Sequence, residues 1–378
     1  MSVYYRALVM AKQGVDIDLL AYGEGQDVDI PGVRIIRTPR FAWLGHVKTG
    51  PSILKIFLDF FIGLWTIGLL IRHRYDFVHA HEEAVFIAVM LKPIFRFKLV
   101  YDMHSSLPEQ LGNFGWSKSN FLRKLFASAE NAALRRSEAV ITICPALAEH
   151  ALALIEDADK HFLIENSIYE PVKLLNPPVE AETDDVVDRV FADLSADGVK
   201  KVVLYAGTLE TYQGIDLLLQ SMVRVKSESP GTHLIVVGGS AEQVSHYKKM
   251  ADQLGVSEVC TFAARVPQAT AKAFTSRADI LTSPRSRGMN TPLKIYELLD
   301  CGKPLVATRI DSHTQVLNDD VAFLADPNPD DIAVQLICAA SDPEAVEQKV
   351  RQARIMYAEQ YSPEIYTSKI HRVLDLIR

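Results

Sequence analysis

The sequence predicts an α/β protein with two doubly wound, parallel-sheet domains, and three observations support that prediction. Short apolar segments typical of strands alternate with longer segments typical of helices along most of the chain. A length of 378 residues suits two domains of ordinary size. A proline- and acid-rich stretch at 168–199, which includes NPPVEAETDD, separates the halves.

Each half contains six strand-like segments. Those of the first half are VDIDLLAYG (15–23), VRIIRT (33–38), DFVHAH (76–81), KLVYDMH (98–104), EAVITIC (138–144) and HFLIENS (161–167). Those of the second half are KVVLYAG (201–207), HLIVVGG (233–239), EVCTFAA (258–264), ADILTSP (278–284), KPLVAT (303–308) and VAFLAD (321–326). We therefore expect a first Rossmann-like domain at 1–170, a linker or insertion at 171–199, a second Rossmann-like domain at 200–360 and a last helix at 361–378.

Composition narrows the functional class. With 48% hydrophobic and 23% charged residues, both domains can build full cores. The four cysteines show no paired spacing, which favours free thiols in a reducing compartment. We therefore expect the protein to be located in the cytosol. The net charge of −7 and the lack of a nucleic-acid-binding motif argue against nucleic acid as a partner.

The first half is the more basic one. Residues 1–140 hold 17 Lys and Arg against 13 Asp and Glu. This excess is either scattered surface charge or a face that meets an anionic membrane or an anionic lipid-linked acceptor. The apolar run 53–71 contains only 12 uninterrupted apolar residues, too few to span a bilayer. It is either a buried helix or an interfacial helix, so we expect a cytoplasmic protein with possible peripheral membrane contact.

The segment NTPLKIYELLDCGKPLVAT (290–308) reads as a helix followed by a buried strand. Thr291 is expected to cap the helix, with Pro292 at its first position. An exposed helix start beside Lys294, with Glu297 a turn later, suits a nucleoside diphosphate with its ribose. The alternative is an ordinary capped helix that carries Lys294 and Glu297 as a surface ion pair.

This segment resembles the nucleotide-sugar signature of the family 4 glycosyltransferases of GT-B fold, in a subgroup with a Pro-x-Lys-x-x-Glu variant. Glu297 matches the ribose-binding glutamate, whereas Met289 stands where the fuller motif has a second glutamate. The resemblance is strongest over 200–325 and continues more weakly through 1–170. It implies two Rossmann-like domains facing a cleft, an acceptor-binding first domain whose first strand is missing here, and a last helix that crosses back to that domain.

The resemblance also implies the roles of individual residues. His104, in YDMHSSLPEQ, matches a histidine that contacts the donor sugar, and Arg285 and Lys294 complete the predicted catalytic set. The predicted donor-binding residues are Glu297, Thr291, Asn290, Gly288, Arg287, Gly207, Thr208, Gly238, Arg265 and Val266. Thr208 and Gln213 are neutral where many relatives carry Arg and Lys. Arg285 and Arg287, just before the helix, either supply that charge instead or are ordinary solvated arginines.

The remaining candidates for site residues are two histidines and possible metal ligands. His79 and His81 of VHAHEE read mainly as positions in a buried strand. We see no His, Cys or Asp group with metal-ligand spacing and expect no metal and no cofactor other than the donor substrate.

The predicted function is retaining, metal-independent transfer of a sugar from a UDP- or GDP-linked donor to a hydroxyl acceptor, either lipid-linked or the precursor of a surface glycan or glycolipid. Two alternatives stay open. One is an inactive GT-B protein that binds a nucleotide sugar or a partner, suggested by Met289, Thr208 and Gln213. The other is an epimerase or phosphorylase of the same fold.

Overall fold

The computed structural model describes residues 2–25, 27–41, 53–106, 120–166 and 183–378. The chain divides into two compact units, and in each of them helices cover parallel β-sheet structure. Unit 1 comprises Met1–Asn176 and Pro363–Arg378, and unit 2 comprises Pro177–Ser362. All twelve expected strand segments contain a strand, and the predicted α/β fold class is confirmed.

The strands of unit 1 form two parallel sheets. They are β1 (Ile17–Ala21), β2 (Val33–Arg37), β3 (Phe77–His81), β4 (Lys98–Met103), β5 (Ala139–Thr142) and β6 (His161–Leu163). β1 pairs with β2, and the other four are joined in the order β3-β4-β5-β6. We expected one doubly wound sheet in this half, but no pairing joins β1 to β3 within the described residues. A missing first strand stays a prediction.

Helices cover both faces of the four-stranded sheet. They are α1 (Ser2–Lys12), α2 (Ile53–Arg72), α3 (Ala84–Phe95), α4 (Asn120–Arg136), α5 (Pro145–Leu152) and, from the end of the chain, α14 (Pro363–Ile377). Alternate residues of β4 point to opposite faces. Val100 packs with α1 and α14, whereas Leu99 and Tyr101 pack with α3, α4 and α5. No helix in the described ranges is both long and apolar enough to cross a membrane.

Unit 2 contains one six-stranded parallel sheet. Its strands are β7 (Lys201–Ala206), β8 (Thr232–Val237), β9 (Cys260–Ala263), β10 (Ile280–Ser283), β11 (Leu305–Thr308) and β12 (Phe323–Ala325). Their order is β12-β11-β10-β7-β8-β9. The strand order therefore reverses between β7 and β10, and ligands of open α/β sheets bind outside the carboxyl ends of the strands at such a point.

The helices of unit 2 pack on both faces of this sheet. They are α6 (Thr183–Ala196), α7 (Ile215–Glu228), α8 (Ala241–Leu254), α9 (Gln268–Arg277), α10 (Lys294–Asp300), α11 (Asp311–Thr314), α12 (Pro329–Ser341) and α13 (Pro343–Met356), followed by a π-helix at Tyr357–Tyr361. Buried side chains alternate between the faces along β7, where Val203 and Tyr205 face one core and Leu204 faces the other.

The expected linker at 171–199 is partly wrong, because α6 occupies 183–196. Val187, Phe191 and Leu194 recur at helical spacing and are buried in the core of unit 2, where Phe191 lies 6.2 Å from the ring of Phe274. Residues 171–182 lie outside the described residues. The acidic, proline-rich composition of this stretch concealed an amphipathic helix. Its apolar side chains are buried in the core of unit 2.

Candidate functional site

Three loops of unit 2 meet at the carboxyl ends of β7, β8 and β10, and glycines allow their close approach. A Cβ atom on Gly238 would overlap the carbonyl oxygen of Gly207, and one on Gly214 would overlap that of Pro284. The positive φ of Gly238, +127°, is also a conformation that favours glycine. These contacts hold the backbone after β7 against the loops after β8 and β10, at the point where the strand order reverses.

The helix after β10 begins later than expected. α10 starts at Lys294, and the amide of Ile295 donates to the carbonyl of Pro292 at 3.0 Å in a tighter turn. Thr291 Oγ1 is buried and accepts or donates no hydrogen bond within the described residues, so Thr291 is not the cap. The predicted cap at Thr291 and first helical position at Pro292 are therefore wrong, because the turn at Pro292 displaces the helix start.

Lys294 points into unit 2. Its Nζ is shielded from water, has no hydrogen-bond partner among the described residues, and lies 4.2 Å from the centre of the Tyr205 ring. Burial, with a contribution from the positive charge of Arg285, lowers the pKa of Lys294 to about 7. The alternative of an ordinary helix with a surface ion pair between Lys294 and Glu297 does not agree with this position, because Lys294 Nζ has no partner among the described residues.

Arg285 organises the loop between β10 and α10. Its Nε donates to the carbonyl of Arg287 at 2.9 Å, and its Nη1 donates to that of Asn290 at 3.0 Å. The guanidinium also stacks 5.1 Å from the Tyr212 ring, and a Cβ on Gly288 would collide with it. Burial lowers the pKa of Arg285. Arg285 thus brings a positive charge beside Lys294 and holds the loop, whereas Arg287 is exposed.

Glu297 is partly buried one turn into α10. Its Oε1 is shielded from water and unpaired within the part of the chain that is described. Burial raises the pKa of the Glu297 carboxyl, while Lys272 acts in the opposite direction. Together with Thr291 and Lys294, Glu297 leaves three polar atoms near the start of α10 without a hydrogen-bond partner in the described residues, as expected of a site that a polar ligand completes.

His313 supports this loop from beneath, and the sequence analysis missed it. Its Nδ1 lies 2.9 Å from the carbonyl of Thr308, and its Nε2 lies 3.1 Å from Ser283 Oγ. The Thr308 hydroxyl in turn donates to the carbonyl of Arg285. Burial lowers the pKa of His313 to about 4, so the ring is neutral at pH 7. A histidine five residues after a buried threonine gives no signal in a single sequence.

The remaining predicted residues of unit 2 lie on neighbouring loops. Gln213 Nε2 donates to Thr208 Oγ1 at 3.2 Å, so these two neutral residues are hydrogen-bonded to each other. The Arg265 amide donates to the carbonyl of Gly239 at 3.2 Å, which places Arg265 and Val266 beside the loop after β8. The structure therefore gathers the predicted donor-binding residues of unit 2 at the loops that follow β7 to β10.

His104 lies in unit 1, just after β4, within a buried charged cluster. Asp102 forms an ion pair with Arg6, and its carboxylate oxygens lie 3.1 Å from His79 Nε2 and 3.1 Å from His104 Nε2. Burial favours the neutral carboxyl, but Arg6 and the histidines hold the pKa of Asp102 well below its usual range. Asn166 Nδ2 lies 3.1 Å from His104 Nδ1. We call these five residues the His104 cluster.

The described residues contain one group whose atoms lie close enough to bind a metal. His81, Asp102 and His104 each offer an atom within 4.8 Å of the others, a proximity that sequence spacing did not reveal. A metal-bound histidine normally donates its second ring N–H to an acceptor. Here the second nitrogen of His104 faces the Asn166 amide nitrogen, and Arg6 already neutralises Asp102. These surroundings do not fit a metal.

Both units match known glycosyltransferase families. Residues 3–167 match the glycosyl transferase 4-like domain, and residues 187–358 match the glycosyl transferases group 1 domain. An uncharacterized glycosyltransferase of Methanocaldococcus jannaschii is 23% identical over 353 residues, which is 92% of this chain and 84% of the relative.

Solved structures show the same fold. Sucrose-phosphate synthase of Thermosynechococcus elongatus aligns with a TM-score of 0.74 at 18% identity, over 99% of this chain and 92% of that one. HepE of Anabaena, in complex with UDP and glucose, aligns with a TM-score of 0.69 at 17% identity, over 98% of this chain and 95% of that one.

These findings define a glycosyltransferase of GT-B fold. Within that class, the two matched domain types, which together cover most of the chain, support membership of family 4.

Proposed function

We propose that this glycosyltransferase moves a sugar from a UDP- or GDP-linked donor to a hydroxyl acceptor, with retention at the anomeric carbon and without a metal. The observation that carries the proposal is Lys294 Nζ, which has no hydrogen-bond partner in the described part of the chain and lies where the strand order of unit 2 reverses. A buried amine with no partner in the described residues is unfavourable until an anion arrives. A diphosphate supplies that anion, and HepE, which shares the fold, was solved with UDP.

The other polar groups near the start of α10 fit the rest of a nucleotide. We assign the ribose hydroxyls to Glu297, because its unpaired carboxylate oxygen can accept two such hydrogen bonds. Thr291 and the backbone around Gly207 and Gly288 would contact the phosphates, and Arg265 and Val266 the base. His104 keeps the role that the family resemblance implies, a contact to the transferred sugar.

The chemistry follows from these positions. The bond between the sugar and the diphosphate breaks through an oxocarbenium-like state, and negative charge grows on the leaving diphosphate. Lys294 and Arg285 stabilise that charge, and one such preorganised donor is commonly worth about 3 kcal/mol. We assign no carboxylate nucleophile, so we propose front-side attack by the acceptor hydroxyl. Its oxygen bonds to the anomeric carbon on the face that the diphosphate leaves, and its proton passes to the leaving diphosphate, which yields retention.

The nucleotide site is tested by calorimetry with UDP, GDP and their sugar conjugates in the presence of a chelator. We expect micromolar binding of one nucleotide and a loss of at least about tenfold in Glu297→Ala, since a hydrogen bond to a charged group contributes about 1.5–3 kcal/mol. Glu258→Ala, at an exposed glutamate elsewhere on unit 2, should bind normally. Binding that needs a divalent metal, or that survives Glu297→Ala, contradicts the proposal.

An inactive nucleotide-sugar binder is the second candidate, because the positions of Thr208, Gln213 and Met289 carry no charge. The inactive binder would be favoured if the protein bound the donor with micromolar affinity but neither transferred the sugar to any acceptor candidate nor slowly hydrolysed the donor. An assay with radiolabelled donor distinguishes the two candidates, because only an active enzyme releases the nucleoside diphosphate from the donor.

A membrane-associated acceptor is supported by exposed apolar side chains on unit 1. On α2 they recur at spacings of three, four and seven residues, which forms one stripe. The stripe consists of Phe57, Phe60, Leu64 and Ile71. On α3, Met90 and Ile94 are 75% and 70% exposed. Helices α2 and α3 are neighbours, since a Cβ on Gly63 would lie 3.9 Å from Ile87.

Basic side chains lie at the end of α3. A surface cavity of about 550 Å³ is lined there by Lys92, Arg96, Lys98 and Arg136, against the single carboxylate of Glu138. We propose that this side of unit 1 contacts an anionic membrane from the cytoplasm and brings the enzyme to a lipid-linked acceptor.

Flotation with vesicles of phosphatidylglycerol tests the membrane contact. The double change Met90→Ser and Ile94→Ser should reduce binding severalfold, because about 0.8 kcal/mol is lost for each buried methylene. Val223→Ser, at an exposed apolar residue of unit 2, is the matched control. Equal flotation of all three proteins contradicts the contact.

A further inference from the structure

Hydrogen-bond directions are determined around His104, although the ring itself allows two tautomers. Arg6 has donors only, and its Nη2 donates to Asn166 Oδ1 at 3.4 Å. Since the amide oxygen of Asn166 faces Arg6, the amide NH₂ faces His104 Nδ1 at 3.1 Å. An amide NH₂ is a donor, so Nδ1 is the acceptor and carries no proton.

The second ring nitrogen follows from the first. A neutral imidazole with an unprotonated Nδ1 carries its proton on Nε2. His104 Nε2 lies 3.1 Å from Asp102 Oδ1, and the negative charge of Asp102 favours a proton on that side. Arg6 and His79 contact the other carboxylate oxygen. His104 Nδ1 thus faces the Asn166 amide, and His104 Nε2 faces the Asp102 carboxylate.

Burial keeps this arrangement rigid. Arg6 and Asp102 are each 2% exposed, and Asn166 is 5% exposed. The Arg6 guanidinium is fixed from a further side, because its Nε donates to the Tyr366 hydroxyl of α14 at 3.2 Å. Rotating the Asn166 amide would turn its NH₂ toward the guanidinium and leave two donors facing each other, which disfavours the alternative.

We infer that Arg6, Asn166 and Asp102 are positioning residues that hold His104 as the neutral Nε2–H tautomer and fix the plane of its ring. In this state a sugar would meet the carbon atoms or the face of the His104 ring. Because Nδ1 faces an amide donor and Nε2 faces a carboxylate, we assign neither nitrogen a role as general acid or base. The tautomer does not depend on the proposed function, and only its effect on sugar transfer rests on that function.

Nitrogen-15 NMR of the full-length protein with labelled histidine tests the tautomer directly. The chain has 11 histidines, and the resonances that disappear in His104→Gln assign the ring. We expect Nε2 in the range of a protonated nitrogen and Nδ1 in the range of an unprotonated one. The reverse pattern, or two protonated nitrogens, at neutral pH would overturn the inference.

Asn166→Asp tests the cause. A carboxylate can only accept, so it should pair with Arg6 and draw a proton onto His104 Nδ1. Thr142→Val is the matched control, because it removes a hydroxyl 2.9 Å from His161 Nε2 in the same sheet. The control should shift the resonances of His161 and leave those of His104 in place. Unchanged His104 resonances in Asn166→Asp would show that Asn166 does not set the tautomer.

Kinetics then test the positioning role. In Asn166→Asp we expect kcat for sugar transfer to fall on the order of tenfold, while the affinity for the free nucleoside diphosphate, assigned to unit 2, stays the same. A changed tautomer with unchanged kcat overturns the positioning role alone. Absence of nucleotide binding in the unmodified protein overturns the proposed function and leaves the tautomer standing.

Discussion

The two units bury charged groups in opposite ways. In the His104 cluster of unit 1, the buried carboxylate of Asp102 meets the guanidinium of Arg6 and two histidines. Near the start of α10 in unit 2, Lys294 Nζ and Glu297 Oε1 are shielded from water and have no hydrogen-bond partner in the described residues. In the first arrangement the buried charges are paired with one another, which fixes the geometry of the cluster. The second is unfavourable by itself and is poised to bind.

The largest expected effect is the difference in stability between a variant that lacks the cation of Arg6 in unit 1 and a variant that lacks the cation of Lys294 in unit 2. Arg6→Met leaves Asp102 buried without its cation, so the free energy of unfolding should fall by about 3–5 kcal/mol. Lys294→Met replaces an unpaired buried amine with an apolar chain of similar length, so that protein should be as stable as the original or more stable. Urea unfolding of both variants measures the difference.

The matched control for Arg6→Met is the double change Arg6→Met and Asp102→Leu, which removes the stranded carboxylate and should recover part of the loss. Equal destabilisation by Arg6→Met and Lys294→Met would show that the two sites do not differ in the way described.

Loss of Lys294 should matter for activity instead. In Lys294→Met we expect kcat/KM to fall about 100-fold, as is typical when one charge-stabilising donor is removed. The pKa of about 7 adds a pH dependence, because a neutral amine attracts a diphosphate poorly. Nucleotide affinity should therefore weaken as the pH rises above 7, by up to about tenfold for each pH unit. Lys294→Arg keeps its charge and should bind independently of pH in this range, which calorimetry can measure.

The same lowered pKa gives a stability test with a definite sign. The unfolded lysine holds its proton up to about pH 10.5 and the folded one only up to about 7. Between these values the unfolded chain binds more protons, so stability rises with pH. Lys294→Met should remove this contribution, and identical slopes of stability against pH in the two proteins would contradict the buried, unpaired state.

The smallest expected effect concerns Glu297. Its raised pKa means that the ionised carboxylate destabilises the fold at pH values above the unfolded value of 4.5. Glu297→Gln should therefore be more stable at pH 7 by less than about 1 kcal/mol, since the carboxylate is only partly buried. The difference should vanish below pH 4.5, where thermal unfolding of both proteins provides the check. A less stable Glu297→Gln at pH 7 would mean that the carboxylate has a structural partner.

The strands of both units were predictable, because apolar runs between turn residues identify buried parallel strands. The positions of Lys294 and Glu297 near the strand reversal followed from the motif around them. The start of α10 did not, because a Pro292 turn competes with a Thr291 cap on energies that local sequence does not resolve. Helix α6 was missed because its charged surface resembles a linker.

The His104 cluster could not be predicted from one sequence. Arg6 and Asn166 are 160 residues apart in the chain, and only folding brings them together. Neither residue carries a local pattern that sets it apart from a surface arginine or a loop asparagine. The support of the Arg285 loop by His313 was hidden for the same reason, because its contacts run from a short helix back to two strands.

The contact between Arg6 and Tyr366 spans 360 residues of chain and has a consequence for folding during synthesis. α1 leaves the ribosome before unit 2 is made, yet α14, which covers the same face of the sheet, emerges only after unit 2. Unit 2 is complete by Ser362 and has every segment it needs before unit 1 does. The apolar face that α14 covers therefore stays uncovered by it while unit 2 is synthesised, at about 5–20 residues per second, and during this interval it is a surface that chaperones can bind.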